Sequence, residues 1–146
     1  MLEESFDRIY TKFKLHFYQA VFSRFQTQEA SLTAVETFCM EIIRALDEPT
    51  INEFASFVNI SSPNAAYKVN SLIRKGYVEK IQSPNDRREY HLRPTRKFHD
   101  YYNLSSTYIQ EVMDRVRGRF TPEEVAQIDH VLNIVGQELM PEVALK

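Results

Sequence analysis

Residues 60–95 read ISSPNAAYKVNSLIRKGYVEKIQSPNDRREYHLRPT, and the fold turns on this stretch. Ile60-Ser61-Ser62-Pro63 is a helix start: a serine oxygen to accept a free N–H, then a proline whose fixed φ suits the first turn. Arg74-Lys75-Gly76 is a helix stop, with cations in the last turn and a glycine just beyond it. Tyr77 to Gln82 is rich in β-forming residues. Ser83-Pro84-Asn85-Asp86-Arg87 is a turn-rich loop, and Arg88 to Arg93 can return as a second strand that Pro94 ends. A helix followed by a β-hairpin is the expectation.

The flanks extend the pattern on both sides. Upstream, Thr33-Ala34-Val35-Glu36 is a capping box that opens a helix to about Leu46, stopping near Asp47-Glu48-Pro49. Thr50-Ile51-Asn52-Glu53 repeats the device and opens a short helix through Phe57. Before these, Leu2, Phe6, Ile9, Tyr10, Phe13, Phe17 and Val21 recur at steps of three and four, one stripe of a long helix over residues 2–25. Downstream, a helix from Thr95 carries Phe98, Tyr101, Tyr108, Val112 and Val116. Thr121-Pro122-Glu123-Glu124 opens a last one with Val125, Ile128, Leu132, Val135 and Leu139 on one face. Two helices joined by a brief turn, then a hairpin, make a winged helix-turn-helix. The expected fold class is mainly α (α+β), a winged helix-turn-helix with long N- and C-terminal dimerisation helices.

The chain has 146 residues, 43% hydrophobic and 26% charged, which suits one substantial core and excludes wholesale disorder. No apolar run approaches the roughly 18 residues of a membrane span, and the Met1-Leu2-Glu3-Glu4 start lacks a basic signal-peptide head. The single cysteine, Cys39, gives no internal disulfide and no Cys-rich zinc site. The three glycines stand apart, so no phosphate-cradling loop is present. A cytoplasmic protein with no cofactor, no metal and no enzymatic activity is the expectation.

The near-neutral charge of −2 hides a segregated distribution. Residues 61–97 hold nine basic side chains against three acids, or +6, which leaves −8 for the rest of the chain. Such an island suits a polyanion, although a charge cluster alone fits a solvated face equally well. On the helix from Pro63 to Lys75, Ala65, Val69, Leu72 and Ile73 form the inward face. Asn64, Tyr67, Lys68, Ser71, Arg74 and Lys75 line the opposite one. A rod with such a face fits the DNA major groove, with Asn64 and Tyr67 near base edges and Lys68, Arg74 and Lys75 on phosphates. Ser62 and the free N–H groups beside it suit a phosphate. At the hairpin tip, Arg87 and Arg88 suit a narrow minor groove, and Asp86 would orient an arginine through a bidentate pair.

The stretch from Asn52 to Thr95 resembles the MarR family of bacterial transcription regulators. The likeness rests on Lys75-Gly76-Tyr77-Val78, on the Asp86-Arg87-Arg88 wing tip and on Leu92-Arg93-Pro94-Thr95. It implies a single domain over 1–146, with a winged DNA-binding region at 31–97 and helical dimerisation regions at 1–28 and 98–146. It also implies a homodimer presenting two winged regions to palindromic double-stranded DNA. By position, Arg88 would be the wing arginine, Asp86 its orienting partner, and Asn64, Ala66, Tyr67 and Lys68 the groove-facing residues. Tyr67 stands where an arginine is common, Pro94 replaces the usual leucine, and Phe98 the usual glycine. Small effectors of this family bind between the two regions, where Phe17, Phe38, Tyr101 and Tyr108 would line a pocket. Aromatic residues on helical stripes are more often plain core.

The broad apolar stripes of the terminal helices argue independently for a second copy, since one small winged region cannot cover them. His16, His91, His99 and His130 are scattered without metal-ligand spacing. Cys39, among Phe38, Met40, Ile42 and Ile43, reads as a small buried hydrophobe with no cation nearer in sequence than Arg44. The leading expectation is a sequence-specific DNA-binding transcription regulator, an effector-responsive repressor acting as a homodimer. The alternative is a winged-helix module that docks on an acidic protein.

Overall fold

The computed structural model describes residues 1–25 and 32–145, with the backbone alone for residues 24–25 and 101–105. The elements run α1 (Leu2–Phe25), α2 (Ala34–Ala45), α3 (Ile51–Val58), α4 (Ser62–Arg74), β1 (Val78–Gln82), β2 (Tyr90–Pro94), α5 (Arg96–Arg119) and α6 (Pro122–Glu138). They divide into two compact units. One comprises residues 1–20 with 103–144, and the other residues 21–102 with 145–146. The expected region boundaries at 28 and 31 lie outside the described residues.

The second unit holds the core. Met40 and Ile43 from α2, Phe54 from α3, and Ala65, Val69 and Leu72 from α4 meet Tyr77, Val78, Leu92 and Phe98, all buried. Phe98, where the family pattern has glycine, is part of this core. Each helix start is held by the side chain the sequence offers. Thr33 and Glu36 make the reciprocal capping box of α2. Thr50 accepts from the Glu53 N–H, and Ser61 from the Asn64 N–H. Asn59, in the left-handed region at φ 62°, closes α3 and turns the chain directly into α4.

The hairpin is antiparallel, with Val78 opposite Pro94 and Gln82 opposite Tyr90. It is shorter than expected at both ends. Tyr77 N–H still bonds the Leu72 carbonyl, so that residue closes α4 rather than opening β1. Arg88 N–H is taken by Asp86 Oδ1, which keeps the returning strand from starting until Tyr90. Pro94 is the last residue of β2 instead of a terminator before it. Its missing N–H costs nothing there, and Thr95 N–H resumes bonding at the Tyr77 carbonyl.

A third segment sits against the hairpin. Thr50 forms a β-bridge with His91, and Leu92 N–H donates to the Pro49 carbonyl. Reaching that position requires two successive non-glycine residues in the left-handed region, Asp47 and Glu48, at φ 55° and 52°. Three contacts hold the bend. Arg93 Nε donates to Glu48 Oε1 at 2.6 Å, His91 Nδ1 lies 2.8 Å from the Glu48 carbonyl, and Leu92 bonds Pro49. A carbonyl only accepts, so the His91 proton sits on Nδ1.

The first unit is built differently. Among its described residues none is buried, and large apolar side chains stand open along both ends of its chain. Leu2, Phe6, Ile9 and Leu15 are exposed on α1, and Ile128, Val131, Leu132 and Leu139 on or just after α6. Tyr108 of α5 stacks flat on His16 of α1 at 3.6 Å between ring centres, and Phe13 meets its edge at 5.4 Å. The α5–α6 turn is fixed by the Thr121–Glu124 capping box.

Candidate nucleic-acid interface

Helix α4 owes its orientation to its composition. Ala65, Val69 and Leu72 are fully buried, which leaves Asn64 and Tyr67 in solvent near the helix start. Tyr67 is 72% exposed, an apolar ring with a hydroxyl that burial in the core does not account for. Arg74 is exposed, and Ala66 and Lys68 are half-buried. The remaining two residues of the expected polar face are engaged elsewhere. Ser71 Oγ donates to Glu36 Oε2 at 3.0 Å, and Lys75 Nζ to Glu36 Oε1 at 2.8 Å. Lys75, grouped by its sequence position with the phosphate-binding cations, is thus an internal ion pair with α2.

Glu36 also accepts the Thr33 N–H. Burial alone would raise its carboxyl, but the hydrogen bonds from Lys75, Thr33 and Ser71 outweigh that, and the group is held below its ordinary value. Ser62 is likewise occupied. Its hydroxyl donates to Asn52 Oδ1 at 3.1 Å, joining the first turns of α3 and α4 at an exposed corner. The Asn52 amide N–H groups then remain free in that pair to meet an anion beside Ser62.

At the hairpin tip, Ser83 N–H bonds the Glu89 carbonyl and Gln82 Nε2 the Arg87 carbonyl, which closes the turn. Arg87 is exposed, and the Arg88 side chain is 92% exposed. Asp86 meets Arg88 through one oxygen: Oδ1 accepts the Arg88 N–H at 2.9 Å and Nε at 3.5 Å. The expected bidentate pairing is not what the structure has. Asp86 instead fixes the backbone of Arg88 and leaves its guanidinium fork open to solvent.

Of the aromatic residues expected around an effector, Phe17 and Tyr108 belong to the first unit and Phe38 to the second. Phe38 on α2 is 53% exposed, Phe17 is half-buried, and Tyr108 has one face covered by His16. The Tyr101 side chain lies outside the described residues. Two open grooves follow the α5–α6 turn. One of 460 Å³ is lined by Arg117, Val125 and Asp129, and one of 350 Å³ by Phe120, Ile128 and Leu132. Cys39 is buried, and burial pushes its thiol up, against the pull of Lys68 from α4. That cation is 29 residues away in sequence, which is why scanning the neighbours of Cys39 does not find it. No described helix is long and apolar enough to cross a membrane.

Residues 32–90 match the model of the MarR family, which bears out the resemblance read from the wing and its junctions. A search of curated proteins found no match. Among solved structures the chain is similar to Streptococcus pneumoniae FabT in complex with DNA, at 22% identity over 94% of each chain and a TM-score of 0.61. It is also similar to a MarR family protein from Bacillus stearothermophilus, at 15% identity over 94% of this chain and 92% of that one, TM-score 0.65. A MepR mutant from a multidrug resistant S. aureus clinical isolate gives 15% identity over 96% of this chain and 98% of that one, TM-score 0.66. These likenesses establish the winged helix-turn-helix fold over nearly the full chain.

Proposed function

We propose, from a winged segment that belongs to the MarR family, that this chain is a sequence-specific double-stranded DNA-binding transcription regulator. It would act as a homodimer on a palindromic site, as a repressor released by a small-molecule effector. One observation carries the DNA reading: the +6 island coincides with α4 and the hairpin, and its Arg88 guanidinium stands open to solvent at the hairpin tip. A protein docking module needs an apolar centre, whereas α4 offers Asn64, Tyr67, Lys68 and Arg74, and the hairpin tip Arg87 and Arg88.

The division of labour follows from reach and chemistry. Asn64 and Tyr67, in the first turns of α4, would meet base edges in the major groove. Arg88 would enter the minor groove and, with Lys68, Arg74 and Arg87, neutralise phosphates. Ser62 and its partner Asn52 would fix register on one phosphate. In support of the dimer, α1 and α6 leave leucine, isoleucine, valine and phenylalanine side chains in water, which a second copy would cover. FabT, similar in fold, was solved with DNA.

The test is titration of the purified protein against duplexes from its own upstream region over a range of salt. The expected result is affinity that falls steeply with salt, by about 0.9 in the logarithmic slope per phosphate neutralised. Binding to no duplex at low salt would defeat the reading.

A further inference from the structure

We infer that Glu36 is a positioning residue for DNA recognition. It fixes the roll of α4 about its own axis, so that base reading is confined to the N-terminal half of that helix. The inference rests on the reading of α4 as the recognition helix.

At about 100° per residue, Ser71 and Lys75 lie on one row of α4, and Asn64 lies on the same row two to three turns earlier. The buried row of Ala65, Val69 and Leu72 is roughly a quarter-turn away. A helix held by its apolar row alone can rotate slightly while side chains repack. A second anchor set to the side of that row removes this freedom. Glu36 is such an anchor, with Ser71 Oγ on Oε2 and Lys75 Nζ on Oε1. The carboxylate is itself held at the α2 start by the Thr33 N–H, so it cannot follow a moving helix.

The last turn of α4 is pinned from the other direction as well. Lys97 Nζ donates to the Lys75 carbonyl at 2.8 Å and lies 4.5 Å from the centre of the Tyr77 ring. The polar face that looks continuous in sequence is therefore divided. In its C-terminal half Ser71 and Lys75 are spent on α2 and Arg74 alone stays exposed, while its N-terminal half, with Asn64 and Tyr67, is open. Side chains reach about 5–6 Å from a helix axis, so a roll of about 10° displaces their tips by about 1 Å. That is enough to spoil a hydrogen bond to a base edge.

The experiment uses full-length protein carrying Lys75→Met or Glu36→Gln, with the best duplex selected from a random pool and one unrelated duplex. Affinities for both are measured over a range of salt, and thermal melting is recorded beside them. The inference expects Lys75→Met to lower the ratio of specific to nonspecific affinity about five- to tenfold, with the nonspecific affinity and the salt slope unchanged. Glu36→Gln keeps an oxygen for Ser71 but loses the charge that holds Lys75, and should move the ratio in the same direction. A merely structural role would lower both affinities together, in step with melting, and would overturn it. A slope that falls by about one in Lys75→Met would put that lysine on a phosphate and overturn it too. So would an unchanged ratio, while the unaltered protein still bound DNA. Absence of salt-sensitive binding by the unaltered protein would remove the DNA reading itself, and this inference with it.

Discussion

Glu36 and Glu41 lie five residues apart on α2 and respond to burial with opposite outcomes. Both are pushed up by leaving water, but only Glu36 has enough donors to reverse the shift. Glu41 is left with Oε1 buried and unbonded, and Arg44 on its other oxygen at 3.5 Å, so its carboxyl stays raised. A lowered folded value means that Glu36 stabilises the fold above its ordinary range near 4.5 and ceases to do so as pH falls through the lower value. Glu41 acts in the opposite sense, since its raised value makes protonation favour the fold. Comparing Glu36→Gln with the unaltered protein isolates the first. The variant's urea midpoint should change less between pH 6 and about 3.5, and equal changes in the two would contradict the assignment. At the wing, Arg88→Ala should weaken binding to every duplex by a similar factor and lower the salt slope by about one. Tyr67→Ala should alter which sequence is preferred, as read from competition between duplexes. The sequence displays Asp86, Arg87, Arg88 and Tyr67 clearly, because a turn tip and a helix start are local features. It misleads on Lys75, because the acid that claims it lies 39 residues away and only packing brings the two together.

The elements show the same contrast between local and distant causes. Caps and breakers are legible: Thr33, Thr50, Ser61 and Thr121 all accept the N–H that their spacing announces. Strand limits are not, because Tyr77 is committed to α4 and Arg88 to Asp86 by bonds that propensity does not register. The segment beside the hairpin is also invisible in sequence, since it is a single bridge at Thr50 reached through the strained Asp47-Glu48 bend. Gly76 is the one glycine whose conformation demands it, at φ +83°. A Cβ there would meet only the Lys97 Cδ at 3.8 Å, an ordinary contact, so the cost of substitution is in the backbone. Gly76→Ala should therefore lower stability by about 1–2 kcal/mol in urea unfolding. No loss would contradict the left-handed turn that starts the hairpin. The core is less forgiving: Phe54→Ala should cost about 3–5 kcal/mol, because the ring is wholly buried among α4 and the hairpin.

For the whole molecule, the first unit gives the proposed homodimer its main support. Its helices carry an apolar pattern as regular as any core, yet among the described residues none is buried. The sequence stripes are broader than one chain can cover, and the structure leaves Phe6, Ile9, Val131 and Leu132 in solvent. The proposed homodimer predicts a solution mass of twice 17.2 kDa. Leu132→Glu, which puts a charge on the α6 face, should shift that mass toward a single chain in light scattering and weaken DNA binding with it. A mass of one chain for the unaltered protein would contradict the dimer. The measurement that bears most directly on the central claim is selection of bound sequences from a random duplex pool. Two winged regions related by a two-fold axis should enrich an inverted repeat with half-site centres about one helical turn, or a multiple of it, apart. A pool that emerges unenriched, or enriched in sequences without inverted symmetry, would contradict the account.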